Sequence, residues 1–132
     1  MRLIACILVL CTLLSACKKE NDENPPQIPA GVYAGTFSRT GMETVQVKIE
    51  FEANTYEGQS DTDKYPAICH GSYSLSNDRV IFTDVCTWTA DFDWSLILNG
   101  TYTISFQDDG WVRIWRISGS VTDEYLLRKL ER

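Results

Sequence analysis

A chain of 132 residues has room for one domain at most once an N-terminal leader is taken away. Its 18 acidic side chains against 12 basic ones give a net charge of −6, a poor balance for nucleic acid or anionic lipid headgroups. One histidine and five cysteines leave little material for a metal centre or an activated nucleophile.

The first residues carry one early positive charge, Arg2, then an apolar run, then small residues before Cys17. That run is too short and wrongly flanked to span a bilayer, so residues 1–16 read as a signal peptide. Leu14-Ser15-Ala16-Cys17 resembles the lipobox of bacterial lipoproteins. The resemblance implies that Cys17 is lipidated and becomes the first residue of the mature protein; an ordinary secretory leader cut nearby is the alternative. Cleavage removes one basic residue, Arg2, and no acidic one, so −6 becomes −7. Residues 17–30, charged, Asn-rich and Pro-rich, read as the lipidated Cys and a flexible linker. The residue after Cys17 is Lys18, not the Asp that retains many Gram-negative lipoproteins at the inner membrane. The run Cys-Lys-Lys-Glu-Asn-Asp-Glu also resembles acidic export signals of surface lipoproteins in some Gram-negative anaerobes. Together these resemblances imply an outer-membrane lipoprotein, on its periplasmic or surface face, held to the membrane by the acyl anchor.

Residues 31–132 alternate apolar and polar, with no helical period. Gly31, Tyr33, Gly35 and Phe37 share one face of a first strand. Val45, Val47, Ile49 and Phe51 alternate with Gln46, Lys48, Glu50 and Glu52 in a second. Thr55 to Gln59 form a short third, and a loop through Pro66 follows. Next comes a hairpin turning at Asn77-Asp78, which sets Leu75 across from Val80, Tyr73 from Phe82 and Cys69 from Cys86. Cys6 and Cys11 leave with the leader and Cys17 takes lipid, so an oxidising compartment favours a Cys69–Cys86 disulfide. Two buried free thiols are the competing reading. Asp93 to Gln107 is predicted as a long strand in which Gly100, Tyr102, Ile104 and Phe106 alternate and Gly100 introduces a bend. Turns at 108–110 and 118–120 flank Trp111 to Ile117, and Val121 to Leu130 completes the chain.

The total is all-β: a small eight-stranded antiparallel up-and-down barrel, favoured because closure removes exposed strand edges. Gly31-Val32-Tyr33 resembles the Gly-x-Trp of lipocalin-like barrels, with Tyr in place of Trp. The resemblance implies that Arg128 stacks on that aromatic.

No catalytic constellation is legible, and no enzyme activity, cofactor or metal is expected. His70 follows Cys69, but neighbours in a strand point to opposite faces, and a cystine has no thiolate. There is no Gly-x-Ser-x-Gly elbow and no second His. Asp61-x-Asp63, Asp91-x-Asp93 and Asp108-Asp109 offer oxygen ligands for Ca²⁺, yet without a Gly-spaced calcium loop they read better as solvated turns.

Binding is the remaining class. Trp111, Arg113 and Trp115 share one strand face, with Val112 and Ile114 on the other. Phase alone leaves open which face points outward. Trp88 and Trp94 bracket Asp91-Phe92-Asp93 and could form an apolar lip at a barrel mouth. Strands averaging ~8–9 residues make a barrel more apt to be filled than hollow, which favours a protein partner over an enclosed ligand. A carrier of a small apolar ligand and a purely structural surface lipoprotein are the rivals. Leu98-Asn99-Gly100-Thr101 resembles the Gly-Thr of the inhibitory loop of staphostatins, compact barrels that block papain-type cysteine peptidases. That resemblance implies Asn99, Gly100 and Thr101 at a peptidase-binding loop, with Gly100 before the spared bond. A strand glycine beneath a packed aromatic is the alternative.

Overall fold

The computed structural model describes residues 26–132. The expected signal peptide, the lipobox-like stretch with Cys17 and most of the expected linker lie outside the described residues.

Eight strands follow one another: β1 (Gly31–Arg39), β2 (Val45–Glu52), β3 (Thr55–Ser60), β4 (His70–Ser76), β5 (Arg79–Asp84), β6 (Gly100–Phe106), β7 (Trp111–Ser118) and β8 (Val121–Lys129). Each pairs antiparallel with its neighbours in the chain, and β8 pairs back onto β1 to close the barrel. Alternation drives this. In β2, Val47, Ile49 and Phe51 are buried, while Gln46, Lys48, Glu50 and Glu52 face water.

The interior is filled by aromatic rings meeting edge to face. Ring centroids lie 5.5 Å apart for Phe51–Tyr73, 5.2 Å for Tyr56–Phe82 and 5.7 Å for Phe82–Tyr102. Tyr102 and Tyr125, in contact at 6.1 Å, continue the chain of rings. A short barrel supplied with this many rings packs its own centre.

The β4–β5 hairpin has the register read from the sequence: Leu75 pairs with Val80 and Tyr73 with Phe82. Asn77 takes the left-handed conformation the turn needs, with φ 53°. The ladder ends at Gly71 and Asp84, and just beyond it Cys69 and Cys86 are joined as a disulfide, their Cα atoms 6.4 Å apart. The free-thiol reading falls.

Two expectations need correction, and one strand end differs from its phase. The strand after the cystine begins at Gly100, not Asp93, because residues 94–96 make a single 3-10 turn. Asp93 caps it by accepting from the Ser95 amide at 2.9 Å, a local bond that competes with a strand ladder. Phe106 shares the inward phase of Tyr102 and Ile104 but is 48% exposed, since it ends β6 at the barrel rim. Arg128 does not stack on Tyr33. It is out of phase with the inward residues Tyr125 and Leu127, and its guanidinium lies over Trp111, 5.8 Å from the ring centre. Tyr33 is buried, its hydroxyl donating to the Pro29 carbonyl at 2.8 Å.

The two ends of the barrel differ. At one end, called narrow here for its short connections as the other is called wide for its long ones, tight turns join β2–β3, β4–β5 and β6–β7, and Ile28 plugs the opening at 1% exposure. The linker assigned from sequence thus enters the fold at its last residues. Its amide donates to the Tyr73 hydroxyl at 3.1 Å, which itself donates to the Ala53 carbonyl at 2.7 Å. At the wide end, the long connections 61–69 and 85–99 fold over the opening.

Candidate binding surfaces

The wide end is built from three inward-facing charged residues in the last layer of the barrel. Asp123 of β8 is 4% exposed. The Arg39 guanidinium of β1 grips it with two bonds, Nε to Oδ1 at 2.6 Å and Nη2 to Oδ2 at 2.7 Å. Arg39 also donates to Asp93 Oδ2 at 3.1 Å, to the Ser95 hydroxyl and to the Ser95 carbonyl. All five of its N–H groups are therefore engaged. Arg116 of β7 approaches Asp123 at 3.4 Å, covers the Tyr102 ring at 4.5 Å, and donates to the Asn99 and Ser95 carbonyls. The hydrogen bond to Asp123, chiefly, raises the Arg39 pKa above its ordinary value. Burial pushes the Tyr102 hydroxyl up to about 12, with the neighbouring Arg116 charge opposing it.

This network clamps the 85–99 connection onto the barrel. The disulfide ties that connection to 61–69, and so does a parallel bridge between Ala67 and Ile97. An ion pair between Lys64 and Asp91 at 3.2 Å adds a third link. Leu96, Ile97 and Leu98 are buried beneath it.

Between the clamp and the outer part of 85–99 lies an open cleft of about 820 Å³. Trp88 and Trp94 line it with Asp84, Asn99, Arg116 and Ser118. The lip expected of the two tryptophans is present. Each indole N–H is committed, that of Trp88 to Asp84 Oδ2 at 2.7 Å and that of Trp94 to the Thr89 carbonyl at 2.8 Å. Asp84 Oδ1 is a buried side-chain oxygen with no hydrogen-bond partner among the described residues.

On β7, Val112 and Ile114 are buried, so Trp111, Arg113 and Trp115 form the outer face. Phase is thereby decided. Arg113 stacks over the Trp115 ring at 4.2 Å and pairs with Glu124 of β8 at 2.6 Å. Ile81 of β5 and Ile117 of β7 stand on the same outer surface at 46% and 70% exposure. The register carries this surface across β6, pairing Ile81 with Thr101 and Thr103 with Trp115.

Asn99-Gly100-Thr101 is seated in the wall. Leu98 is buried, the Asn99 side chain accepts from the Asp84 amide at 3.0 Å, and Gly100 opens the ladder opposite Phe82. Gly100 has φ 90°, a conformation that favours glycine.

His70 is exposed, and one of its ring nitrogens lies within 4.8 Å of both cystine sulfurs. Strict alternation does not forbid this, because Cys69 precedes the strand; the sulfurs are bonded to each other all the same. Four of the six loop carboxylates considered for Ca²⁺ have protein partners, Asp61 accepting from the Thr62 hydroxyl. Asp91 accepts from Thr89 and Lys64, Asp93 from Ser95 and Arg39, and Asp109 from the Trp111 amide.

No family model, no curated protein and no solved structure matches the chain. The sequence reading missed Arg39, Arg116 and Asp123, although a signal was there. Each continues the inward phase of its strand, after Phe37, after Ile114 and before Tyr125. A charge at an inward position marks a buried network.

Proposed function

We propose that this chain is a non-enzymatic, lipid-anchored envelope barrel that binds a protein partner through the outer face of β5–β7. The observation that carries this is the pairing of a filled interior with an outer face on which exposed Ile81 and Ile117 flank half-buried Trp115 and its stacked Arg113. A barrel packed with its own rings has no room for an enclosed ligand, so recognition falls to the exterior. Aromatic residues and arginine are the types enriched at interfaces, and a stacked pair gives up little conformational freedom on binding. The lipid anchor at Cys17 and the outer-membrane address rest on the lipobox resemblance. Peptidase inhibition through Asn99, Gly100 and Thr101 is the sharper form. The positive φ at Gly100 supports it, whereas buried Leu98 and the bonded Asn99 weigh toward the β5–β7 face.

Photo-crosslinking from position 117 in intact cells, with partners identified by mass, is the test. Trp115→Ala should abolish the crosslinked species while leaving the fold intact. A crosslinking pattern unchanged by that substitution would refute the β5–β7 reading. Titration against a papain-type cysteine peptidase, with Gly100→Arg beside the wild type, separates the inhibitor form. Labelling with an alkyne fatty acid, lost in Cys17→Ala, checks the anchor.

A further inference from the structure

We infer that the wide-end cleft is a second site, one that takes a neutral saccharide. Its two indoles have used their only hydrogen-bond donors within the protein, Trp88 on Asp84 and Trp94 on Thr89. What each ring has left to offer a ligand is its flat apolar face. Trp94 is 56% exposed, an uncommon position for so large an aromatic, and its N–H bond fixes the ring's orientation. Trp88 is further fixed by edge contact with Phe92 at 5.7 Å. The connection that carries both rings is fastened by the disulfide, the Lys64–Asp91 pair and the Arg39 clamp. Pre-set rings spare the ordering cost that a mobile aromatic would impose on binding.

Polar groups stand beside those faces. Arg116 uses three of its N–H groups within the protein, leaving two of five for a ligand. Ser118, at the same cleft, is exposed and offers a hydroxyl that both donates and accepts. Charge then selects the ligand class. Asp84, Asp93 and Asp123 face Arg39 and Arg116, a near balance that attracts neither an anion nor a cation strongly. Two aromatic faces with a mixed donor and acceptor rim suit a molecule with apolar C–H faces and outward hydroxyls. A pyranoside has that shape, and a cleft of about 820 Å³ has room for more than one ring. A purely apolar ligand would desolvate this charged rim and leave the two remaining Arg116 N–H groups unpaired. This inference is independent of the β5–β7 surface, because the cleft and that surface share neither tryptophan.

The test uses the full chain in a detergent without a sugar headgroup, titrated with maltohexaose, cellohexaose and mannohexaose. Tryptophan fluorescence and calorimetry should both show saturable binding to at least one, with Kd between about 10 μM and 1 mM. Trp94→Ala should weaken it by about tenfold or more, and Trp94→Phe, which keeps a flat face, by less. Trp115→Ala should leave saccharide binding unchanged. Absence of saturable binding to all three probes at about 10 mM would overturn the inference. So would binding that Trp94→Ala leaves intact. Because Trp94 is more than half exposed, its removal does not open the core, and an unchanged thermal midpoint confirms that.

Discussion

The two ends of this barrel are closed by opposite means. The narrow end uses tight turns and one apolar plug, Ile28, latched by the Tyr73 hydroxyl. The wide end uses a buried carboxylate, two arginines and a disulfide to hold down two long connections. An apolar plug needs only shape to fill the opening. A charged clamp must hold its loops at set distances, and between those loops a walled cleft remains. The same alternating strands therefore end in a plug on one side and an open cleft on the other.

The largest effect expected at the wide end comes from Asp123→Ala. Two arginines would lose their shared buried counter-charge, a loss of about 3–5 kcal/mol in urea unfolding. A loss below about 1 kcal/mol would mean that the clamp is a surface ion pair and the contrast between the ends is false. Replacing Cys69 and Cys86 together by Ser should cost about 3 kcal/mol, the chain-entropy value for a loop of 17 residues. At the narrow end, Ile28→Ala should cost about 2 kcal/mol by cavity formation. Its expected signature is local. Amide exchange should quicken around Ala53 and Tyr73 while the 85–99 connection keeps its protection. Equal loss of protection at both ends would show that they unfold as one unit.

How much of this was legible beforehand follows from phase. Period-two alternation gave the barrel, the hairpin register and the cystine, because one register satisfied turn, apolar face and bridge together. It also placed the β7 residues on two faces, though only packing could say that Val112 and Ile114 are the inner pair. Two kinds of feature were not legible. Residues 94–99 read as strand because their apolar content is high, but the bond from Asp93 to Ser95 turns the backbone away first. The clamp was not legible for a different reason: its members are 84 residues apart in Arg39 and Asp123, and only closure of β8 onto β1 unites them. Ile28 was hidden by its company, a single apolar residue among prolines.

The smallest effect is a pH dependence confined to the wide end. Hydrogen bonds from Thr89 and Lys64 lower the Asp91 pKa, and those from Ser95, with Arg39 nearby, lower that of Asp93, each from an ordinary 3.8. A carboxylate whose folded pKa is depressed stabilises the fold fully above its unfolded value. That contribution is lost as the pH falls below 3.8 and through the lower folded values. Both groups are solvent-exposed, so the effect is modest and salt weakens it further. Acidification through this range should loosen 85–99 first, seen as a shift in the indole N–H resonances of Trp88 and Trp94. The Tyr73 and Ile28 resonances at the narrow end should hold still over the same range, since neither belongs to a carboxylate network. Indole resonances that stay fixed until the whole spectrum collapses would show that these carboxylates do not hold the connection down, leaving Asp123 and the cystine as its fastening.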